Sequence, residues 1–269
     1  MVLISHKYHY IYIHIPKTAG QTIKNNMPYD ELLDCRFYGI LNLDKDCFSN
    51  GSFHNKYHLT YKKYLKLYPK RNHNKYRVFT FVRNPYDRLY STFLFIQQNI
   101  KKHSIYINII VLLFTLIIVI VFLCRSLPLF AISVLLLASV LIWKCYHFAN
   151  DIVHSNFNTF IADHLVNIRR IIPYAFLPQI EFIRGCTMFY IGREEHFNDN
   201  FRELQLRLDI PIIEDIVNHN IITTKKQGNM YKYLKYYTPA TIRFVNTYYW
   251  EDFEAFGYSM LNPDAYMNI

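Results

Sequence analysis

Apolar and polar residues alternate from Tyr8 to Ile15 (YHYIYIHI), the period-two pattern of a strand with two distinct faces. A loop, Pro16 to Gly20, follows, and a helix is predicted from Gln21. The apolar run Arg77 to Val82 (RVFTFV) predicts a second strand, with a helix after it from about Pro85. Asn84 suits the N-cap of that helix and Pro85 its first turn. Further on, a helical pattern covers Phe157 to Ile172, a short strand Met188 to Ile191, a helix Asn198 to Leu208 and a closing helix Pro239 to Phe253. Strands alternating with helices predict an α/β fold: a parallel sheet flanked by helices, with phosphate sites at strand ends. Met1 to His9 reads as short and polar, without the features of a signal peptide. No repeat of solenoid period is visible.

The pattern breaks in the middle of the chain. Ile105 to Cys124 carries no charge, Arg125-Ser126-Leu127-Pro128 interrupts it, and Leu129 to Phe148 carries only Lys144. Each run is long enough to cross a hydrocarbon layer of about 30 Å as a helix. The short break predicts an inserted two-helix transmembrane hairpin whose ends return to one side, with Tyr106, Trp143 and Tyr146 suited to the interface. A hairpin buried in a soluble core is the alternative. The expected organisation is therefore a first domain segment 1–104, the hairpin 105–148 and a second segment 149–269 that completes the same domain. Lys101, Lys102 and Lys144 flank the hairpin on the domain side and Arg125 lies in its turn, a bias that points the domain toward the cytoplasm.

Composition narrows the function classes. With 52% hydrophobic and 19% charged residues over 269 positions, the chain has the apolar surface to build a core and is not a disordered tail. Five cysteines without a C-x-x-C pair exclude a disulfide scaffold. The net charge of +10 calls for an anionic partner: a nucleotide, an acidic glycan, nucleic acid or a lipid surface. Lys56 to Arg77 interleaves basic residues with tyrosines. Nucleic acid, a polyanionic glycan and a plain solvated helix face each account for such a run.

Two stretches carry candidate chemistry. Ile15-Pro16-Lys17-Thr18-Ala19-Gly20-Gln21-Thr22 lies between a strand and a helix, where backbone N–H groups can hold a phosphate. Lys17 adds a cation, Thr18 and Thr22 add hydroxyls, and Gly20 is expected to let the backbone approach a ligand closely. The spacing is not that of the G-x-x-x-x-G-K-[ST] loop of nucleoside triphosphatases, and no Asp for Mg²⁺ accompanies it. Alone, this is also what an ordinary strand-to-helix turn looks like. In the second stretch, Val82 to Ser91 (VRNPYDRLYS), Arg83 stands at a strand end and Ser91 about two turns into the helix, so both can converge on one phosphate. Asp87 and Arg88 are expected to be structural.

YIYIHIPKTAGQTI and VFTFVRNPYDRLYSTF resemble the two nucleotide-binding motifs of the carbohydrate sulfotransferases, the family of the Golgi chondroitin and dermatan enzymes and the uronyl 2-O-sulfotransferases. The resemblance continues through Asn156 to Ile161, Leu177-Pro178-Gln179, Phe189 to Glu195 and Tyr236 to Tyr258, which ends in Asp252-Phe253-Glu254-Ala255-Phe256-Gly257-Tyr258. It implies the sulfotransferase fold, with 3′-phosphoadenosine 5′-phosphosulfate (PAPS) as co-substrate, no metal, and a glycan acceptor, acidic or neutral, rather than nucleic acid. It implies that Lys17, Thr18, Ala19, Gly20, Gln21 and Thr22 line the 5′-phosphosulfate site and that Arg83 and Ser91 hold the 3′-phosphate. It also implies a Golgi or related endomembrane, on the lumenal side, with which the sequon Asn50-Gly51-Ser52 is compatible. Two features depart from the family: the N-terminal anchor and stem are missing, and the hairpin is extra.

Sulfuryl transfer needs a base for the acceptor hydroxyl and a cation for the leaving phosphate. A histidine suits the first, because its ordinary pKa lies near neutrality. His58, ahead of the second motif strand, occupies a position like that of the family's catalytic histidine, with His54 as second choice. Lys17 is the cation expected at the bridging oxygen. Lys225, Lys226 and Gly228 form a further basic turn, read as a solvated run or a contact to nucleotide or acceptor. Two other functions are compatible with the motifs. One is a catalytically degenerate protein of this fold that binds membrane or glycan, and the other is a metal-dependent phosphotransferase.

Overall fold

The computed structural model describes residues 1–33, 58–69, 72–124, 129–213 and 233–266. His54, Asn50-Gly51-Ser52 and the turn of Lys225, Lys226 and Gly228 lie outside the described residues. The described strands are β1 (Val2–Ser5), β2 (Tyr10–Ile13), β3 (Glu31–Leu33), β4 (Arg77–Val82) and β5 (Tyr190–Arg193), which form one sheet in the order β3-β1-β2-β4-β5. Among the described helices are α1 (Gly20–Asn26), α2 (Tyr61–Leu67), α3 (Pro85–Cys124), α4 (Leu129–His154), α5 (Gln179–Ile183), α6 (Phe197–Arg207), α7 (Pro239–Tyr248) and α8 (Trp250–Phe256).

The sheet is mixed, which corrects the expectation of a parallel one. β2, β4 and β5 run parallel, with Tyr12 opposite Phe79 and Phe81 opposite Gly192. β1 pairs antiparallel with both β2 and β3, Val2 lying opposite Ile13 on one side and Leu33 on the other. The physical reason is the connection: β1 reaches β2 through the short turn His6 to His9, and a parallel crossover needs a far longer link. The segment read as polar therefore holds a strand, and Val2, Leu3 and Ile4 are wholly buried. His6, Lys7 and His9 belong to the turn and gave the segment its polar look.

Both faces of the sheet are covered, and the alternation along each strand sorts side chains between them. Leu3, Tyr10, Tyr12, Phe79 and Phe81 pack with Ile23 of α1, with Met27 just after it, and with Phe201 and Leu204 of α6. Val2, Ile4, Ile11, Ile13, Val78 and Val82 pack with Tyr64 of α2, Phe182 and Ile183 of α5 and Phe256 of α8. The aromatic set lies on one face and the β-branched set on the other. Because β2, β4 and β5 are parallel, their C-terminal ends share one edge of the sheet, and the loops that follow them meet there.

The chain divides into two compact units, Met1–Ser91 with Leu165–Ile269, and Thr92–His164. The second is helical. Gln97 Nε2 donates to the carbonyls of Ile152, Val153 and Ser155 at 3.0, 3.2 and 2.8 Å, and Phe93 packs on Phe157 and Phe160. The backbone is helical on both sides of Arg125 to Pro128, which themselves lie outside the described residues. The membrane-crossing hairpin expected over 105–148 is nonetheless not found: among the described residues no helix is long and apolar enough to cross a membrane. Most side chains between 103 and 132 lie outside the described ones.

Candidate functional site

The loop after β2 is held by its own backbone. Lys17 and Ala19 both adopt left-handed backbone, with φ of 69° and 59°, a conformation that costs a residue with a side chain about 1–2 kcal/mol. Thr18 is buried and its hydroxyl donates to the Ile15 carbonyl at 2.9 Å, which closes the turn from inside. Thr22 is buried one turn into α1, and Gln21 is exposed. Gly20 also carries a packing constraint. A Cβ there would lie 1.9 Å from Nε2 of His14, so the missing side chain makes room for the His14 ring.

Two arginines of the second motif reach this loop. Arg83, at the end of β4, donates from Nη1 to the Lys17 carbonyl at 3.2 Å. Its Nε and Nη2 meet Asp87 Oδ2 at 2.9 and 2.8 Å, with Glu194 Oε2 at 3.5 Å. Burial works against its charge, but Asp87 and Glu194 outweigh burial and hold the guanidinium above its ordinary pKa. These bonds leave it N–H capacity for a ligand oxygen. Arg88, wholly buried, donates to the carbonyls of Pro16 at 3.2 Å and Leu177 at 2.9 Å, a structural part as expected. Asn84 caps α3, its Oδ1 accepting from the Tyr86 N–H at 3.0 Å. Ser91 is buried on the same helix.

Lys17 therefore sits beside a second cation. Burial, reinforced by Arg83, pulls its ammonium down to about 8, with Glu194 acting in the other direction. An anion bound at this loop would restore the charge that burial disfavours.

The later motifs serve the turn that follows β4. Gln179 bonds to the backbone of Arg83, and Asp252, wholly buried, accepts from the N–H groups of Gln179 at 2.8 Å and Ile180 at 2.9 Å, capping α5. Glu195 accepts from the Asn84 N–H and, through its other oxygen, from the Tyr258 hydroxyl at 3.0 Å. Three stretches far apart in sequence thus hold residues 83 and 84.

His58 lies just before α2, its ring 4.8 Å from that of His14. Burial pushes both imidazoles well below their ordinary pKa. For His14, His58 and Lys17 act in the same direction. For His58, Arg88 does so, while a hydrogen bond with the His14 backbone works against it. His14 was missed in the sequence. The available signal was a histidine at the inward end of a buried alternating strand, where the pattern asks for an apolar residue. Among the described residues no group of three or more His, Cys, Asp or Glu could hold a metal ion.

The family model described as "Sulfotransferase family" matches residues 1–259. The chain belongs to the sulfotransferase family, and its chemistry is the transfer of a sulfuryl group. Members of this family generally take that group from PAPS. No curated protein and no solved structure matches the chain.

Proposed function

We propose that the chain transfers the sulfuryl group of PAPS to a hydroxyl of a carbohydrate acceptor, an acidic or neutral glycan, by in-line displacement. The observation that carries the reading is the hydrogen bond from Arg83 to the Lys17 carbonyl, which supports one shared binding place for the two motifs. In this reading Lys17, Thr18, Ala19, Gly20, Gln21 and Thr22 surround the 5′-phosphosulfate, and Arg83 and Ser91 take the 3′-phosphate. The domain is carried by 1–104 and 149–269. His58 is the base. As the acceptor oxygen bonds to sulfur, its proton passes to the imidazole, the bond from sulfur to the 5′-phosphate oxygen breaks, and the electron pair leaves with the bisphosphate. Lys17 offsets the charge that develops there. Burial holds the His58 imidazole neutral, the form that accepts a proton.

We extend the reading to a lipid bilayer as the partner of segment 105–148, in the Golgi or a related endomembrane, with the side of the membrane left open. Leu116, Leu137, Leu141 and Trp143 support it, being 54–63% exposed with no polar handle except the indole N–H. The decisive experiment is calorimetry with 3′-phosphoadenosine 5′-phosphate, followed by radiolabelled PAPS against a panel of desulfated glycosaminoglycans. Binding and a labelled glycan are expected. A wild-type protein that binds no nucleotide would sink the reading. Nucleotide binding without transfer to any acceptor would favour a degenerate member of the fold that binds membrane or glycan.

A further inference from the structure

We propose that His14 is a positioning residue that holds the base His58 against the donor loop, so that the two imidazoles act as one pair. The inference rests on the sulfotransfer reading and extends it to a residue of the first motif stretch to which the sequence assigned no role.

His14 touches the loop on one side and His58 on the other. Its Nε2 and Cδ2 fill the space where a Cβ on Gly20 would stand, at 1.9 and 2.1 Å. Its ring meets that of His58 at 4.8 Å between centroids with 57° between planes. Tyr12 stacks on it at 6.0 Å and 30°, and its backbone N–H donates to the Met1 carbonyl at 3.3 Å, so the ring is fixed from the sheet. It is 7% exposed.

The nitrogens give this contact its meaning. Nδ1 of His14 and Nδ1 of His58 are both buried, and neither has a hydrogen-bond partner among the described residues. A buried polar atom left unpaired costs about 1–3 kcal/mol. If packing were all that the site required, a phenylalanine would fill either place without that cost. Two buried rings in contact, each with an unpaired nitrogen beside the cationic loop, suit a partner that brings hydroxyl hydrogens better than they suit packing alone. A sugar acceptor has that chemistry. Among the described residues, Lys17 acts on His14 and Arg88 on His58, each a cation that disfavours a charged ring. Burial, with these cations reinforcing it, keeps both rings neutral in the free protein.

The test compares wild type with His14→Phe, which keeps the ring and removes the nitrogens, and His14→Gln, which restores a hydrogen-bonding side chain. With PAPS and an accepted glycan, His14→Phe is expected to lose at least about tenfold in kcat while its affinity for 3′-phosphoadenosine 5′-phosphate stays within about threefold of wild type. His14→Gln should recover part of that loss. Wild-type kcat in His14→Phe, or a loss of nucleotide affinity as large as the loss of kcat, would overturn the proposal. Ring-proton NMR of His58 separates this failure from failure of the functional reading, since it needs no turnover. The His58 midpoint in the free protein should move by at least about half a pH unit in His14→Phe. A midpoint that stays put overturns the positioning role even if the protein transfers no sulfate.

Discussion

Gln179 grips Arg83 by both of its backbone groups: Oε1 accepts from the Arg83 N–H at 2.9 Å, and Nε2 donates to the Arg83 carbonyl at 2.8 Å. Gln179 and Asp252 are both wholly buried, and Asp252 accepts from the Gln179 backbone in turn. The Arg83 backbone, from which the side chain reaches the Lys17 carbonyl, is thus held by residues far downstream in the sequence.

Gln179→Leu removes both bonds and strands a buried N–H and a buried carbonyl. Each stranded group costs about 1–3 kcal/mol, so a loss of roughly 2–5 kcal/mol is expected in urea unfolding. Nucleotide affinity should fall with it, because Arg83 is no longer aimed. A variant as stable as wild type would show that the clamp does not bear on the turn.

The depressed ammonium of Lys17 makes two pH dependences of opposite sign. Below about 8 the lysine is charged in both the folded and the unfolded chain. Between about 8 and the ordinary 10.5, only the unfolded chain keeps the proton, so this group's contribution to stability rises with pH across that window. Binding of an anion goes the other way. Affinity for 3′-phosphoadenosine 5′-phosphate should be flat from about pH 7 to 8 and then fall up to about tenfold per pH unit. Lys17→Met should bind weakly and lack that limb. Calorimetry across the range checks both statements, and a flat wild-type curve up to pH 10 would remove Lys17 from the site.

Much of this arrangement was legible and some of it was not, for physical reasons. RVFTFV and its following helix start could be read directly, since an apolar run ending in Arg-Asn-Pro carries its own stop and cap, and β4 and Asn84 stand where expected. Val2–Ser5 was hidden because a strand of four residues is too short to display a period beside a charged turn. The site's first loop was visible as a motif, but a second constraint on Gly20 was not. That constraint depends on His14, and only the fold decides which ring occupies the space beside a glycine. Arg83 and Asp87 could be paired by their four-residue spacing, whereas Glu194 reaches Arg83 from the turn after β5 across a separation that no local pattern encodes.

Ala19, at the N-cap of α1, is left-handed with φ 59° and ψ 21°. Ala19→Gly relieves about 1 kcal/mol of backbone cost and gives back a similar amount in unfolded-chain entropy, so stability should change by less than about 1 kcal/mol. Ala19→Val is the sharper variant, because a β-branched residue is an outlier at positive φ, and a loss of about 2 kcal/mol or more is expected. Thermal unfolding of the two side by side checks the loop's conformation without any ligand. Equal stability would mean that the loop is not left-handed at this position.

His58→Ala should remove turnover by about 10²–10⁴-fold and leave nucleotide affinity within about threefold, the pattern of a lost general base. A variant that loses both together would place His58 in donor binding instead.

The apolar side chains of α4 are the last point at which sequence and function can be joined by experiment. Leu137 and Leu141 are 63% and 56% exposed and four residues apart, so they share one helix face, and Trp143 at 57% lies near the end of the same stretch. Water is a poor surrounding for such a face, and a bilayer suits both the leucines and an interfacial tryptophan. The full chain should therefore float with phosphatidylcholine vesicles in a density gradient. Two carboxylates on that face would oppose its burial in lipid, so the double variant Leu137→Asp with Leu141→Asp should cut partition by at least about a hundredfold. Nucleotide affinity should be untouched in that variant, since Lys17 and Arg83 belong to the other unit of the chain. A wild-type chain that stays at the bottom of the gradient would sink the bilayer as its partner, whatever the outcome for sulfate transfer.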